Sequence, residues 1–187
     1  MSREASLTDL IQRAQNGETG ALQSVFEITY EELRHLARNR LQSAGRAAAL
    51  DTTGLVHECY VRFASAKRIS VEDRVHFFRY AGTAMRSVIA DMARGALRAK
   101  RGGGAEPISL STTISESTSA GEEQVLRVHE ALDELSQVDP RLVQVVEMRY
   151  FAGMTETEIA TALGVTDRTI RRDWEKARLL LAQALAG

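Results

Sequence analysis

The apolar positions of this chain recur at helical rather than strand spacing along most of its length. Leu7, Leu10, Ile11 and Ala14 form a short stripe that stops at the turn pair Asn16-Gly17. Ala21, Leu22, Val25, Phe26, Leu33, Leu36 and Leu41 resume it, so a short helix followed by a long one is expected. A small, polar stretch from Ser43 to Ala49 comes next, then a helix predicted over Thr52–Ala66 with Leu55, Val56, Cys59, Tyr60 and Phe63 on one face. Basic and polar residues from Lys67 to Arg74 break the pattern. Phe77 to Leu97 reads as one long helix running into Arg101-Gly102-Gly103-Gly104, which ends a first domain over 1–101.

Residues 102–121 are rich in glycine, serine and threonine and nearly lack large apolar groups, the pattern of a flexible linker. Beyond it, a second domain over 122–187 opens with a helix expected over Glu122–Leu135. Another follows over Arg141–Phe151, with Asp139 as N-cap and Pro140 at the first helical position, and Ala152-Gly153 ends it.

Thr155-Glu156-Thr157-Glu158 has the form of a capping box, in which Thr155 accepts from the amide of Glu158 and the Glu158 carboxylate returns to the amide of Thr155. The helix that starts there carries Ile159, Ala160 and Leu163 inward and runs into Gly164, which suits a sharp turn. Thr166 can cap a second helix whose apolar face is Ile170, Trp174, Ala177 and Leu181, which makes Trp174 a core group rather than a base-stacking one. Helix, glycine-centred turn and helix are the parts of a helix-turn-helix. The opposite face of the last helix carries Asp167, Arg168, Arg171, Arg172, Lys176 and Arg178. Arginines near its start can pair with guanine edges, while Thr166, Lys176 and Arg178 suit phosphates. A solvated arginine face on an ordinary helical hairpin is the plainer alternative.

Composition sharpens this picture. Aromatic residues make up 5% of the 187 residues and only two prolines occur, so the fold class expected is all-α. The lone cysteine, Cys59, excludes a disulfide framework and a cysteine-based zinc site, and points to a reducing, cytoplasmic setting. No apolar run is long enough to span a bilayer and the first residues lack a signal-peptide core, so no membrane partner is expected. The net charge of −1 conceals a segregation: residues 67–101 hold nine basic and three acidic side chains. Such a basic patch is an electrostatic footprint for nucleic acid.

On these residues the chain resembles a bacterial sigma factor of the sigma-70 family, in its extracytoplasmic-function (ECF) group. Asp133-Glu134-Leu135 through Glu147-Met148-Arg149-Tyr150-Phe151, followed by Thr155 to Arg178, is similar to region four. Leu55-Val56-His57-Glu58-Cys59-Tyr60-Val61-Arg62 is similar to the region-two helix that docks on the polymerase clamp, and Phe77 to Arg101, with Asp91, to the promoter-melting segments. The resemblance implies a factor that directs core RNA polymerase, through its clamp and flap, to promoter DNA. It implies −35 contacts from the second domain's arginine face and −10 contacts from Arg74, Phe77, Phe78, Tyr80, Arg86 and Arg94, where aromatic rings could stack on unpaired bases. Aromatics at this spacing suit a core equally well. The loop from Ser65 to Asp73 would offer a pocket for a flipped base. Polymerase contacts would fall on Asp51, Leu55, Val56 and Glu58.

One departure stands out. Where relatives carry an acidic cluster, this chain reads Asp51-Thr52-Thr53-Gly54. The resemblance then implies the subgroup with a non-acidic polymerase-binding helix, controlled by a Ser/Thr protein kinase acting on Thr53 or Thr52. Ser111, Thr112 and Ser115 are rival acceptors, and Thr52 or Thr53 serving only as a helix cap is the structural alternative. An enzyme acting on DNA is disfavoured, since His35, His57, His76 and His129 lie far apart and no carboxylate trio or nucleophile motif occurs. Neither a cofactor nor a metal is expected. A helix-turn-helix regulator that binds an operator without touching polymerase is the competing reading.

Overall fold

The computed structural model describes residues 3–44, 51–66, 71–102 and 112–186. Every regular element among them is helical, as the composition predicts. The first unit comprises α1 (Arg3–Gln15), α2 (Ala21–Ala44), α3 (Thr52–Ser65) and α4 (Arg74–Gly102). The second comprises α5 (Thr112–Val138), α6 (Pro140–Val146), a π-helical turn (Glu147–Phe151), α7 (Glu156–Leu163) and α8 (Asp167–Ala186).

The stripes read from the sequence become the core of the first unit. Leu7 and Ile11 of α1, Val25, Phe26 and Leu33 of α2, Leu55, Cys59 and Phe63 of α3, and Phe77 and Met85 of α4 are all buried. Phe26 packs edge-on against Tyr60, Phe63 and Phe77 with ring centroids 5.1, 5.2 and 5.6 Å away, and Phe77 meets Phe63 and Phe78 as well. Edge-to-face pairs of this kind add about 0.5–1.5 kcal/mol each beyond their area burial. Burial also pushes the Cys59 thiol up to about 12, which leaves it protonated and unreactive.

Three boundaries differ from the sequence reading, each for a local or tertiary reason. α4 starts at Arg74 because Asp73 accepts from the His76 amide at 2.9 Å and thereby caps it. α5 starts at Thr112, inside the stretch whose composition reads as linker; residues 103–111 lie outside the described ones. Val128, Leu132 and Leu135 anchor its later turns in a core, and extending a helix already nucleated costs little. The single helix expected over Arg141–Phe151 changes pitch at Glu147, where the Ala152 amide reaches back to the Glu147 carbonyl at 2.8 Å. Such single π-helical turns are rare and are frequent at functional sites.

This turn carries the second unit into the first. Ala152 is buried in the core of α1–α4, Met154 packs on that core, and α4 lies against both α5 and the π-helical turn. A Cβ on Gly82 of α4 would meet the Phe151 carbonyl carbon at 3.0 Å, so glycine is what permits this approach.

Phe77→Ala should lower unfolding free energy by about 3–5 kcal/mol, because it empties the centre of the aromatic cluster. Urea denaturation would measure this, and a loss under about 1 kcal/mol would contradict the packing described.

Candidate nucleic-acid interface

Two helices and the turn between them build the strongest candidate site. Thr155 Oγ1 accepts from the Glu158 amide at 3.3 Å and Glu158 Oε2 accepts from the Thr155 amide at 2.8 Å, the capping box read from the sequence. α7 ends at Gly164, whose φ of 63° places it in the left-handed region, and the next amide, Val165, closes on the Ala160 carbonyl at 3.0 Å. Thr166 Oγ1 then accepts from the Thr169 amide at 3.3 Å as α8 begins. Ile159, Ala160 and Ile170 are buried against Val145 and Met148, which fixes the angle of α8 from the inside. Trp174 packs half-buried on the same side, under the Arg149 guanidinium at 4.8 Å from its ring centre.

Arg168, Arg171, Arg172, Lys176 and Arg178 are exposed together on the outer face of α8. Asp167 is half-buried and accepts from the Thr157 hydroxyl at 2.9 Å. Glu156 organises part of this surface: Oε1 takes Arg149 at 2.6 Å and Oε2 takes Arg171 Nε at 3.0 Å. The hydrogen bonds of Arg149 and Arg171 hold the Glu156 carboxyl below its ordinary range. Arg171 is thereby held by its inner nitrogen, and its terminal pair has no protein partner among the described residues. Arg172 Nε lies 3.7 Å from buried Asp173, Lys176 lies 3.1 Å from Asp139, and Arg168 and Arg178 form no ion pair among the described residues. In the sequence Glu156 reads only as part of the capping box, Arg149 only as part of the run similar to region four, and Asp173 carries no signal. Their roles depend on which helices meet, and no local pattern carries that.

The first unit distributes its candidate residues differently. Phe77 and Phe78 are core side chains, 1% and 6% exposed, so in this conformation neither offers a ring to a base. Tyr80 is half-buried, its ring 4.5 Å from that of Phe63. The expectation that Phe77 and Phe78 offer rings to unpaired bases is corrected accordingly, because the shared apolar face of α3 and α4 claims them, whereas Tyr80 keeps part of its surface accessible. Arg74 pairs with Glu32 and lies over the Phe78 ring at 4.7 Å. Arg94 and Arg62 flank Asp91 at 3.0 and 2.5 Å. Desolvation acts against ionised Asp91, but these hydrogen bonds and charges outweigh it and hold its carboxyl low. Arg86 is turned inward, its side chain 11% exposed. Of the loop from Ser65 to Asp73, residues 67–70 lie outside the described ones.

On α3, Asp51 and Glu58 are exposed, whereas Leu55 and Val56 are buried at 0% and 4%. The expectation that these two apolar residues meet polymerase is corrected, because the core of the first unit already uses them. Asp51 is the N-cap, accepting from the Gly54 amide at 2.7 Å. Thr52 and Thr53 therefore do not cap the helix; Thr53 is exposed in its first turn and Thr52 is half-buried. Ser111 lies outside the described residues, and Thr112 and Ser115 fall within α5.

A family model described as "ECF sigma factor" matches residues 4–187. No curated protein and no solved structure matches the chain. None of the described helices is long and apolar enough to cross a membrane.

The capping box gives the site a pH signature. The Thr155 amide and hydroxyl hold the Glu158 carboxyl below its ordinary value, so its stabilising effect is complete above the usual range near ~4.3 and is lost as pH falls through the lowered folded-state value. The Thr155 amide resonance should titrate with a midpoint below that range and cease to do so in Glu158→Gln. A midpoint at or above it would contradict the box.

Proposed function

The chain belongs to the ECF sigma factor family, which makes it an RNA polymerase sigma factor with core RNA polymerase and promoter DNA as partners, and from that premise we infer how its parts divide the work. The second unit reads the −35 element. α8 enters the major groove, Arg171 and Arg172 face base edges, and Arg168, Lys176 and Arg178, with Thr166 at the helix start, lie along the backbone. The observation that carries this reading is the exposed arginine face of α8, set at a fixed angle by the capped α7 and the Gly164 turn, with the terminal nitrogens of Arg171 open to a guanine. The first unit meets the −10 element through the basic surplus of residues 67–101, including Arg74, Arg86 and Arg94.

Core polymerase is met by the exposed face of α3, around Asp51 and Glu58. Its first turn contains no acidic residue, and Asp51 is engaged in capping. Phosphorylation of Thr53 by a Ser/Thr protein kinase supplies the missing charge. A phosphate brings about −1.5 to −2 charges and three acceptors to the positive end of a helix, opposite a basic clamp. Exposure favours Thr53 over Thr52. Operator binding without polymerase, the competing reading, would leave the exposed face of α3 without a task.

Gel filtration should show the chain co-eluting with core polymerase; failure to do so with or without kinase treatment would favour the operator-binding reading. Arg171→Ala or Arg172→Ala should cost about 1–3 kcal/mol in promoter binding and relax selectivity at one −35 position, whereas Lys176→Ala should weaken all sequences alike. Unchanged selectivity in both arginine variants would remove α8 from base readout. Kinase treatment should tighten binding to core polymerase in the wild type and in Thr52→Ala but not in Thr53→Ala. Equally tight binding by untreated protein would contradict the switch.

A further inference from the structure

A cleft of about 470 Å³ opens where α2, α4, α5 and the π-helical turn converge, a volume that suits a small organic molecule. Ile89 and Ala90 of α4, Val125 and Val128 of α5 and Phe151 of the turn give it an apolar wall. Gln124 and Tyr150 also line it and are exposed, so the cleft is reached from solvent. Its lining contains two guanidiniums, those of Arg40 and Arg86, and no carboxylate.

The two arginines differ in how their charge is answered. Arg86 has Asp133 Oδ1 3.2 Å from Nη1 and Glu147 Oε1 3.3 Å from Nη2, carboxylates that lie outside the lining, and its Nε is buried without a hydrogen-bond partner. Arg40 is only 8% exposed, yet it forms no ion pair among the described residues. Its Nε donates to the Phe151 carbonyl at 3.3 Å, and its guanidinium lies over the rings of Tyr150 and Phe151, 4.5 and 5.0 Å from their centres. A carbonyl and two ring faces offset part of the cost of burying a cation but bring no counter-charge. Burial accordingly pushes the Arg40 guanidinium towards a lower pKa, with Tyr150 opposing the effect. The cleft is an apolar cavity with one unanswered positive charge set in its wall.

We propose that this cleft binds a small organic carboxylate, with the terminal nitrogens of Arg40 holding the carboxylate and the wall formed by α4 and α5 covering the apolar body. A guanidinium whose inner nitrogen is engaged still presents a flat end of two terminal nitrogens, which matches the two oxygens of a carboxylate. A bare anion gains the charge but not the wall, and a neutral amphiphile gains the wall but not the charge. Only a molecule with both parts uses everything the cleft offers. Arg40 and the apolar wall have no part in the promoter and polymerase readings above, so the proposal stands independently of them.

Isothermal titration calorimetry on the full-length chain tests the site with two carboxylate probes, octanoate and 1-naphthoate, against acetate and octan-1-ol. At least one of the two probes should bind once per chain and raise the melting temperature as its concentration rises. Whichever binds tighter assigns the body as an aliphatic chain or a flat ring. Acetate, which lacks the body, and octan-1-ol, which lacks the charge, should bind at least roughly tenfold more weakly. Arg40→Gln should weaken the bound probe by a similar factor, and Val125→Trp, which fills the cleft and spares Arg40, should abolish binding, both with helical content unchanged by circular dichroism. If Arg40→Gln fails to fold, the comparison of carboxylate with alcohol on the wild type decides. Equal affinity for the bound probe and either acetate or octan-1-ol, full affinity in either folded variant, or no binding by either probe at millimolar concentration would overturn the proposal.

Discussion

A guanidinium taken out of water must be answered by charge or by hydrogen bonds, and the terminal nitrogens of Arg86 find that answer in the other half of the chain while its Nε stays buried without a partner. Much of the architecture follows from that requirement. α5 must run beside α4 to deliver Asp133 and His129, and the chain must change pitch at Glu147 so that this carboxylate and the next turn face the first unit. Gly82 must lack a side chain for the Phe151 backbone to come close enough. A purely apolar seam could also hold two helical units together. A seam centred on an ion pair ties their association to the same electrostatics that nucleic acid and polymerase exploit.

The helix-turn-helix side of the molecule obeys a different logic, in which nearly everything is local. A capping box starts α7, a left-handed glycine ends it, and a threonine starts α8. These devices depend on residues within a few positions of one another, which is why the helix-turn-helix was legible in the sequence down to the residues that build it. The core of the first unit was legible for a related reason, since Leu7, Val25, Leu55, Phe63 and Met85 fall on helical stripes.

What the sequence left unread depends on distant partners. Phe77, Phe78, Leu55 and Val56 fit both a core and a functional surface as residue types, and only the packing of α2, α3 and α4 decides between them. Arg86 looks like any other member of a basic stretch until Glu147, far along the chain, is placed beside it. Glu156 reads as a helix-start acid until α8 brings Arg171 to it. The start of α5 misleads in the opposite sense, because serine, threonine and glycine argue for a linker while anchoring at Val128 and Leu132 favours a helix. Local chemistry is transparent to sequence reading; competition between sites for the same side chain is not.

The division of labour between the units is tested most directly by mapping the 5′ ends of transcripts made from genomic DNA by core polymerase with and without this protein. The account predicts a set of starts that require the protein and share a −35 and a −10 element at fixed spacing. Transcript starts identical to those of core polymerase alone, under conditions where the protein is folded and kinase-treated, would contradict it.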